Sequence, residues 1–136
     1  MMYQDKAARY RAVRSHGLVA DATPARLVQI MFEQILTHLS TAQGCMERIQ
    51  DNLPLREVIT KGQAIGKAVR LINQLDHTLD MERGGQIAVN LRNLYGYMLN
   101  RLTVGNVTND AGILAEVAGL VRKIKSAWDQ LVQDGR

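Results

Sequence analysis

The sequence predicts an all-α protein: an antiparallel up-down four-helix bundle preceded by a short N-terminal helix or strap. Three observations carry this expectation. Apolar residues recur at steps of three and four along four long stretches. Prolines number 2 and aromatics make up 4% of 136 residues, whereas sheets draw on aromatic and β-branched residues and need frequent turns. The joints near residues 50–54, 80–85 and 105–109 are short, which forces successive helices to be antiparallel neighbours. The expected organisation is an N-terminal cap segment over residues 1–20 and a bundle over 21–136.

In the cap segment Tyr3, Tyr10, Val13, Leu18 and Val19 are scattered among charges without a sustained stripe. It reads equally as a disordered terminus or as a strap over a groove that a partner displaces. Lys6, Arg9, Arg11 and Arg14 against Asp5 make it basic.

The first helix is expected from Pro24 to about Ile49. Val28, Met31, Ile35, Ala42, Met46 and Ile49 share one face, which Leu27, Leu36 and Leu39 widen. Thr23 suits the N-cap, and Pro24 the first helical position, where a missing N–H leaves no intrahelical bond unmade. The second helix follows Asn52 and Pro54, with Val58, Ile65, Val69, Ile72, Leu75 and Leu79 on its stripe. Gly62 and Gly66 form a GxxxG beside Lys61 and Lys67, which suggests close packing on a neighbour or a weak helix start.

For the third helix, from about Gln86 to Val104, the inward residues are expected to be Ile87, Leu91, Leu94, Met98 and Leu102, with Ala88, Tyr95 and Leu99 beside them. The fourth is the clearest. Ile113, Val117, Leu120, Ile124, Ala127 and Leu131 alternate steps of four and three, and Leu114, Val121 and Trp128 run along the adjacent edge.

At 46% hydrophobic, a chain of this length can bury one core without metals or disulfides. The single Cys45 has no intramolecular partner, and no secretory signal pattern opens the chain, so a cytosolic location is expected. No apolar run approaches the roughly 20 residues of a membrane span, so direct membrane insertion is not expected. The net charge of +4 is modest and most basic residues alternate with acids, which argues against nucleic acid as the partner.

Chemistry is mostly missing. There is no Glu-x-x-His for a di-iron site, Glu33 and His38 do not share a helix face, and Asp76 and His77 point apart, so no metal and no cofactor is expected. His38 lacks the Lys and Gly that would follow a phosphotransfer histidine, and Cys45 has neither a CxxC partner nor a nearby His. Asp80 and Glu82 lie at a helix end and loop, where Glu82 could favour the next helix's dipole. Gly84-Gly85 lacks the length and the Lys-Ser/Thr of a phosphate loop and reads as a tight turn permitting positive φ. No catalytic residue and no enzymatic activity is expected.

The stretch Leu79-Asp80-Met81-Glu82-Arg83-Gly84-Gly85, followed by Asn90-Leu91, Leu94-Tyr95, Tyr97-Met98 and Arg101-Leu102, resembles the FliS family, the flagellin-specific export chaperones of bacterial flagellar assembly. Ala22-Thr23-Pro24 with Leu27-Val28 and Met31-Phe32, Lys61-Gly62 with Lys67-Ala68 and Ile72, Asn106 with Asp110, Glu116-Val117, and Ala127-Trp128 extend the resemblance over nearly the whole chain. Phe32-Glu33-Gln34 replaces the family's usual Tyr-Asp-Gly, and Gly105-Asn106 its Ala-Asn.

The resemblance implies a cytosolic chaperone with two partners: the disordered C-terminal segment of flagellin, and an export-gate component of the flagellar secretion apparatus. The bound segment would fold into helices along the chaperone, which prevents premature polymerisation. A disordered segment can offset its ordering entropy only by burying apolar surface over a long track. The resemblance also implies that Tyr3, Tyr10 and Val13 belong to a segment connected with groove capping and gate docking. By position beside the innermost stripe, Leu71, Leu75, Tyr95 and Leu99 are the groove candidates. The competing reading from another class is a small basic helical adaptor or nucleic-acid-binding regulator, recognisable by steeply salt-dependent binding.

Overall fold

The structure, a computed structural model, describes residues 22–49 and 54–135. Among the described residues four helices run in sequence: α1 Pro24–Arg48, α2 Leu55–His77, α3 Gly85–Thr108 and α4 Ala111–Gln133. α1 packs on α2 and α4, and α3 packs on the same two, so the helices close a four-sided antiparallel bundle of the expected topology. No helix is long and apolar enough to cross a membrane among the described residues. Tyr3, Tyr10 and Val13 lie outside the described residues.

Local signals set the helix ends. The Thr23 hydroxyl accepts from the Arg26 amide at 3.1 Å, with Pro24 opening α1. The Asp110 carboxylate accepts from the amides of Gly112 at 2.9 Å and Ile113 at 3.3 Å at the start of α4. Asn109, at φ 52, is the left-handed residue that ends α3.

The core is filled by Ile35, Leu39, Ile72, Met98, Leu102, Leu114, Val117 and Val121, all shielded from solvent. Three details differ from the sequence expectation. First, α3 continues through Gly105 to Thr108, because Gly105 acts as a packing residue and not as a breaker: a Cβ there would sit 2.8 Å from Leu114 Cδ1 and 3.0 Å from Ile113 Cγ2. Second, the inward face of α3 is Ala88, Tyr95, Met98 and Leu102, while Ile87 is 72% exposed. Third, α4 buries Leu114, Val117 and Val121, and the far end of its expected main stripe, Ala127 and Leu131, faces solvent.

The rotation of α3 has a cause in its composition. Its only charges are Arg92 and Arg101, and both are drawn into ion pairs, with Asp76 of α2 at 3.2 Å and with Glu116 of α4 at 3.0 Å. Apolar residues therefore occur all round the helix, and periodicity alone cannot choose a face. Among the described residues Gly62 and Gly66 meet no neighbouring helix: a Cβ at Gly62 would find open space, and one at Gly66 only the tip of Arg70. That GxxxG is not a packing motif here.

Candidate functional site

An apolar groove of about 570 Å³ opens at the end of the bundle where α1 and α3 begin and α2 and α4 end. Its floor is Val28 and Phe32 of α1 with Leu75 and Leu79 at the end of α2. One wall is Ile87, Ala88, Leu91 and Tyr95 of α3, and the other is Ile124, Ala127, Trp128 and Leu131 of α4. Ile87 and Leu131, 72% and 50% exposed, form opposing lips. Hydrophobic side chains this exposed on two sides of a concave surface mark an interaction site more often than a lone exposed leucine does.

The turn after α2 shapes one end of the groove. Asp80 Oδ1 accepts from the amides of Glu82 at 3.1 Å and Arg83 at 3.0 Å, and the Gly84 amide donates to the Asp80 carbonyl at 2.8 Å. Any Cβ on Gly84 would lie 2.6 Å from the Ala88 Cβ and 2.7 Å from the Asp80 oxygen, so glycine is needed for close approach there. Gly85 alone of the pair takes positive φ, +55°. The signature loop is thus a rigid corner that delivers Ala88 and Ile87 to the groove.

Each wall is tied to the floor helix behind it. The Trp128 indole N–H donates to the Ala25 carbonyl at 3.0 Å, and Gln29 donates to Asp129 at 2.8 Å, holding the end of α4 to the start of α1. A hydrogen bond from Lys125, at 2.6 Å, is the main cause of the lowered pKa of Asp129. On the other side the Arg92–Asp76 pair holds α3 to α2. α3 and α4 are joined directly at Glu116, which accepts from Tyr97 and Arg101, and these two bonds hold its carboxyl below the usual range.

Of the four groove candidates, Leu75 and Tyr95 line the groove. Leu71 is buried in the core and Leu99 packs against its edge, and neither reaches the groove surface. Tyr95 is 3% exposed, and burial, with a smaller contribution from Asp76, pushes its phenol up to about 12. Sequence reasoning named no residue of the α4 wall as a groove candidate, because Ala127 was placed on the main stripe and Trp128 only on the apolar edge beside it.

It also missed a polar knot at the opposite end of the bundle. Lys61, 7% exposed, donates from Nζ to the Asn106 carbonyl at 3.0 Å and to Asn109 Oδ1 at 3.2 Å, and Asn109 Nδ2 reaches the Met46 carbonyl at 3.5 Å. Lys61, Asn106 and Asp110 were visible as sequence motifs, but no local signal linked α2 to the α3–α4 turn. Cys45 is buried and its thiol is pushed up mainly by that burial, which makes it an unreactive packing residue. No group of three metal-ligating side chains occurs among the described residues.

Comparison with known proteins matches the family model described as "Flagellar protein FliS" to residues 6–135. The Pseudomonas aeruginosa protein named flagellar secretion chaperone FliSB is 43% identical over 129 residues, which is 94% of this chain and 97% of that protein. The flagellar secretion chaperones FliS of Vibrio cholerae and Salmonella typhimurium are each 37% identical. They align over 90% of this chain, and over 85% and 86% of their own lengths, respectively.

Proposed function

The chain belongs to the FliS family of flagellar secretion chaperones, and on that premise we propose that it binds the C-terminal segment of flagellin in the cytosol, prevents its premature polymerisation and delivers it to the export gate. The observation that carries this reading is the groove: a concave, almost wholly apolar surface whose two lips, Ile87 and Leu131, are large hydrophobic side chains left exposed. A client that is disordered when free gains enough from burying its own apolar side chains there to offset the entropy of ordering. The activity has no reaction step and no cofactor; the fold acts as a surface. In this reading the basic first twenty residues, with Tyr3, Tyr10 and Val13, take part in client exchange and gate docking.

The test is calorimetric titration of the full chain with the C-terminal segment of the flagellin from the same genome, at low and high salt. One-to-one binding that survives salt and carries a negative heat-capacity change is expected. Ile87→Asp and Leu131→Asp should each weaken it more than about tenfold, since each places a charge against buried apolar surface. Absence of heat at several temperatures, with the bundle folded, would sink the reading.

A further inference from the structure

The outward side of α2 carries charge of one sign. Arg56, Ile59, Gln63, Lys67 and Arg70 follow at steps of three, four, four and three, which sets them on one helical stripe, and all five are exposed. The stripe lies opposite the buried face of Ala64, Ile65, Ala68 and Ile72. From Arg56 to Arg70 it runs fourteen residues (70 − 56), about 21 Å at the helical rise.

No carboxylate interrupts it. The acids of α2, Glu57 and Asp76, are drawn aside into ion pairs with Arg48 of α1 at 3.1 Å and Arg92 of α3 at 3.2 Å. Six cations elsewhere on the bundle pair with acids, whereas Arg56, Lys67 and Arg70 pair with none among the described residues. A helix face that is merely solvated tends to alternate its signs. Here Lys67 and Arg70, three residues apart, repel each other. Across the seam His38 of α1 is a base as well: burial first, and then Lys67 and Arg70, lower its pKa. Apolar area adjoins the cations, since Ile59 is 50% exposed and Leu55, four residues before it, is 70% exposed.

Three cations spread over this length are sparse beside duplex DNA, which carries a charge about every 1.7 Å, and a phosphate backbone would not cover Leu55 and Ile59. An acidic polypeptide can match both features. We propose that the outward stripe of α2 is a second docking surface, which takes an acidic protein segment whose carboxylates pair with Arg56, Lys67 and Arg70 and whose apolar residue covers Leu55 and Ile59. No stripe residue lines the groove, so the two surfaces can be occupied together. The proposal does not depend on what the groove binds.

The experiment titrates the isotopically labelled full chain with a synthetic peptide whose glutamates and single leucine recur at helical spacing. The amide signals of Arg56, Ile59, Lys67 and Arg70 should shift, those of Ile87 and Leu131 should not, and affinity should fall as salt rises. The Lys67→Glu, Arg70→Glu double variant should weaken binding more than about tenfold, Lys67→Arg should leave it unchanged, and Ile59→Ser should weaken it about two- to fivefold at either salt. Shifts spread evenly over Arg83, Arg122 and Lys123 as well, or equal shifts from a peptide with glutamine in place of glutamate, overturn the proposal. So does duplex DNA, or a phosphatidylglycerol vesicle, that shifts the stripe at lower concentration than the peptide. Prior addition of the flagellin C-terminal peptide should leave the stripe titration unchanged, and abolition of the shifts would mean that the two surfaces are one. A flagellin peptide that fails to bind removes the client reading and leaves this surface standing.

Discussion

Where α3 turns into α4, Gly105 lets the two helices touch, Asn109 takes a left-handed conformation, and the Lys61 ammonium binds the turn to α2. Where α2 turns into α3, a glycine corner is equally tight, yet the helices beyond it leave a 570 Å³ groove between α3 and α4. One end spends buried hydrogen bonds on fixing the chain connection, and the other leaves apolar surface unmatched. The contrast separates two jobs by position: stability and register at the Lys61 end, binding at the Asp80 end.

That division can be broken by mutation. Gly105→Leu should have the largest effect, a loss of about 3 kcal/mol in denaturant unfolding, because its side chain would have to displace Ile113 and Leu114. Lys61→Met keeps the aliphatic stem but leaves the Asn106 carbonyl and Asn109 Oδ1 unpaired, and should cost about 2 kcal/mol. Asp110→Ala removes the α4 cap and should cost about 1 kcal/mol by the same measurement. Ile87→Asp and Leu131→Asp should move stability by less than about 0.5 kcal/mol, being exposed, while weakening client binding more than about tenfold. If the lip variants unfold the protein, or if a folded Lys61→Met variant loses client binding outright, the two ends are not separate in function.

The smallest effect concerns pH. His38 sits where burial first, and then Lys67 and Arg70, lower its pKa. Its folded pKa is below the unfolded value near 6.5, so the unfolded chain binds more protons in that window. Stability is therefore full above about pH 6.5, declines as pH falls toward the lowered value and levels off beneath it. His38→Gln should flatten that slope in unfolding curves taken at several pH values. At more acid pH, protonation of Glu116, whose folded pKa is depressed, should loosen the α3–α4 fastening, and Glu116→Gln should remove that acid-dependent step.

Much of the fold was legible in the sequence because α1 and α4 separate apolar from charged faces and carry marked caps at Thr23 and Asp110. α3 was legible in extent and not in rotation: with only Arg92 and Arg101 to mark an outside, Ile87 read as inward. Five of the eight exposed large hydrophobics among the described residues lie on α3, namely Ile87, Val89, Tyr97, Val104 and Val107, and no periodic pattern distinguishes such residues from core. Half of the groove candidates, Leu75 and Tyr95, belong to the buried core and also line the groove because they lie near an open end. Leu71 and Leu99, one turn farther in, do not reach it, and sequence spacing does not say where a bundle stays closed.

Trp128 is the only tryptophan in the chain, and it stands in the groove wall with its indole N–H held by the Ala25 carbonyl. The protein therefore carries its own optical gauge: emission from this one ring reports the polarity of the site without any attached dye. Occupancy that excludes water should shift that emission to shorter wavelength, and the colour of the light would follow loading and release of cargo in real time.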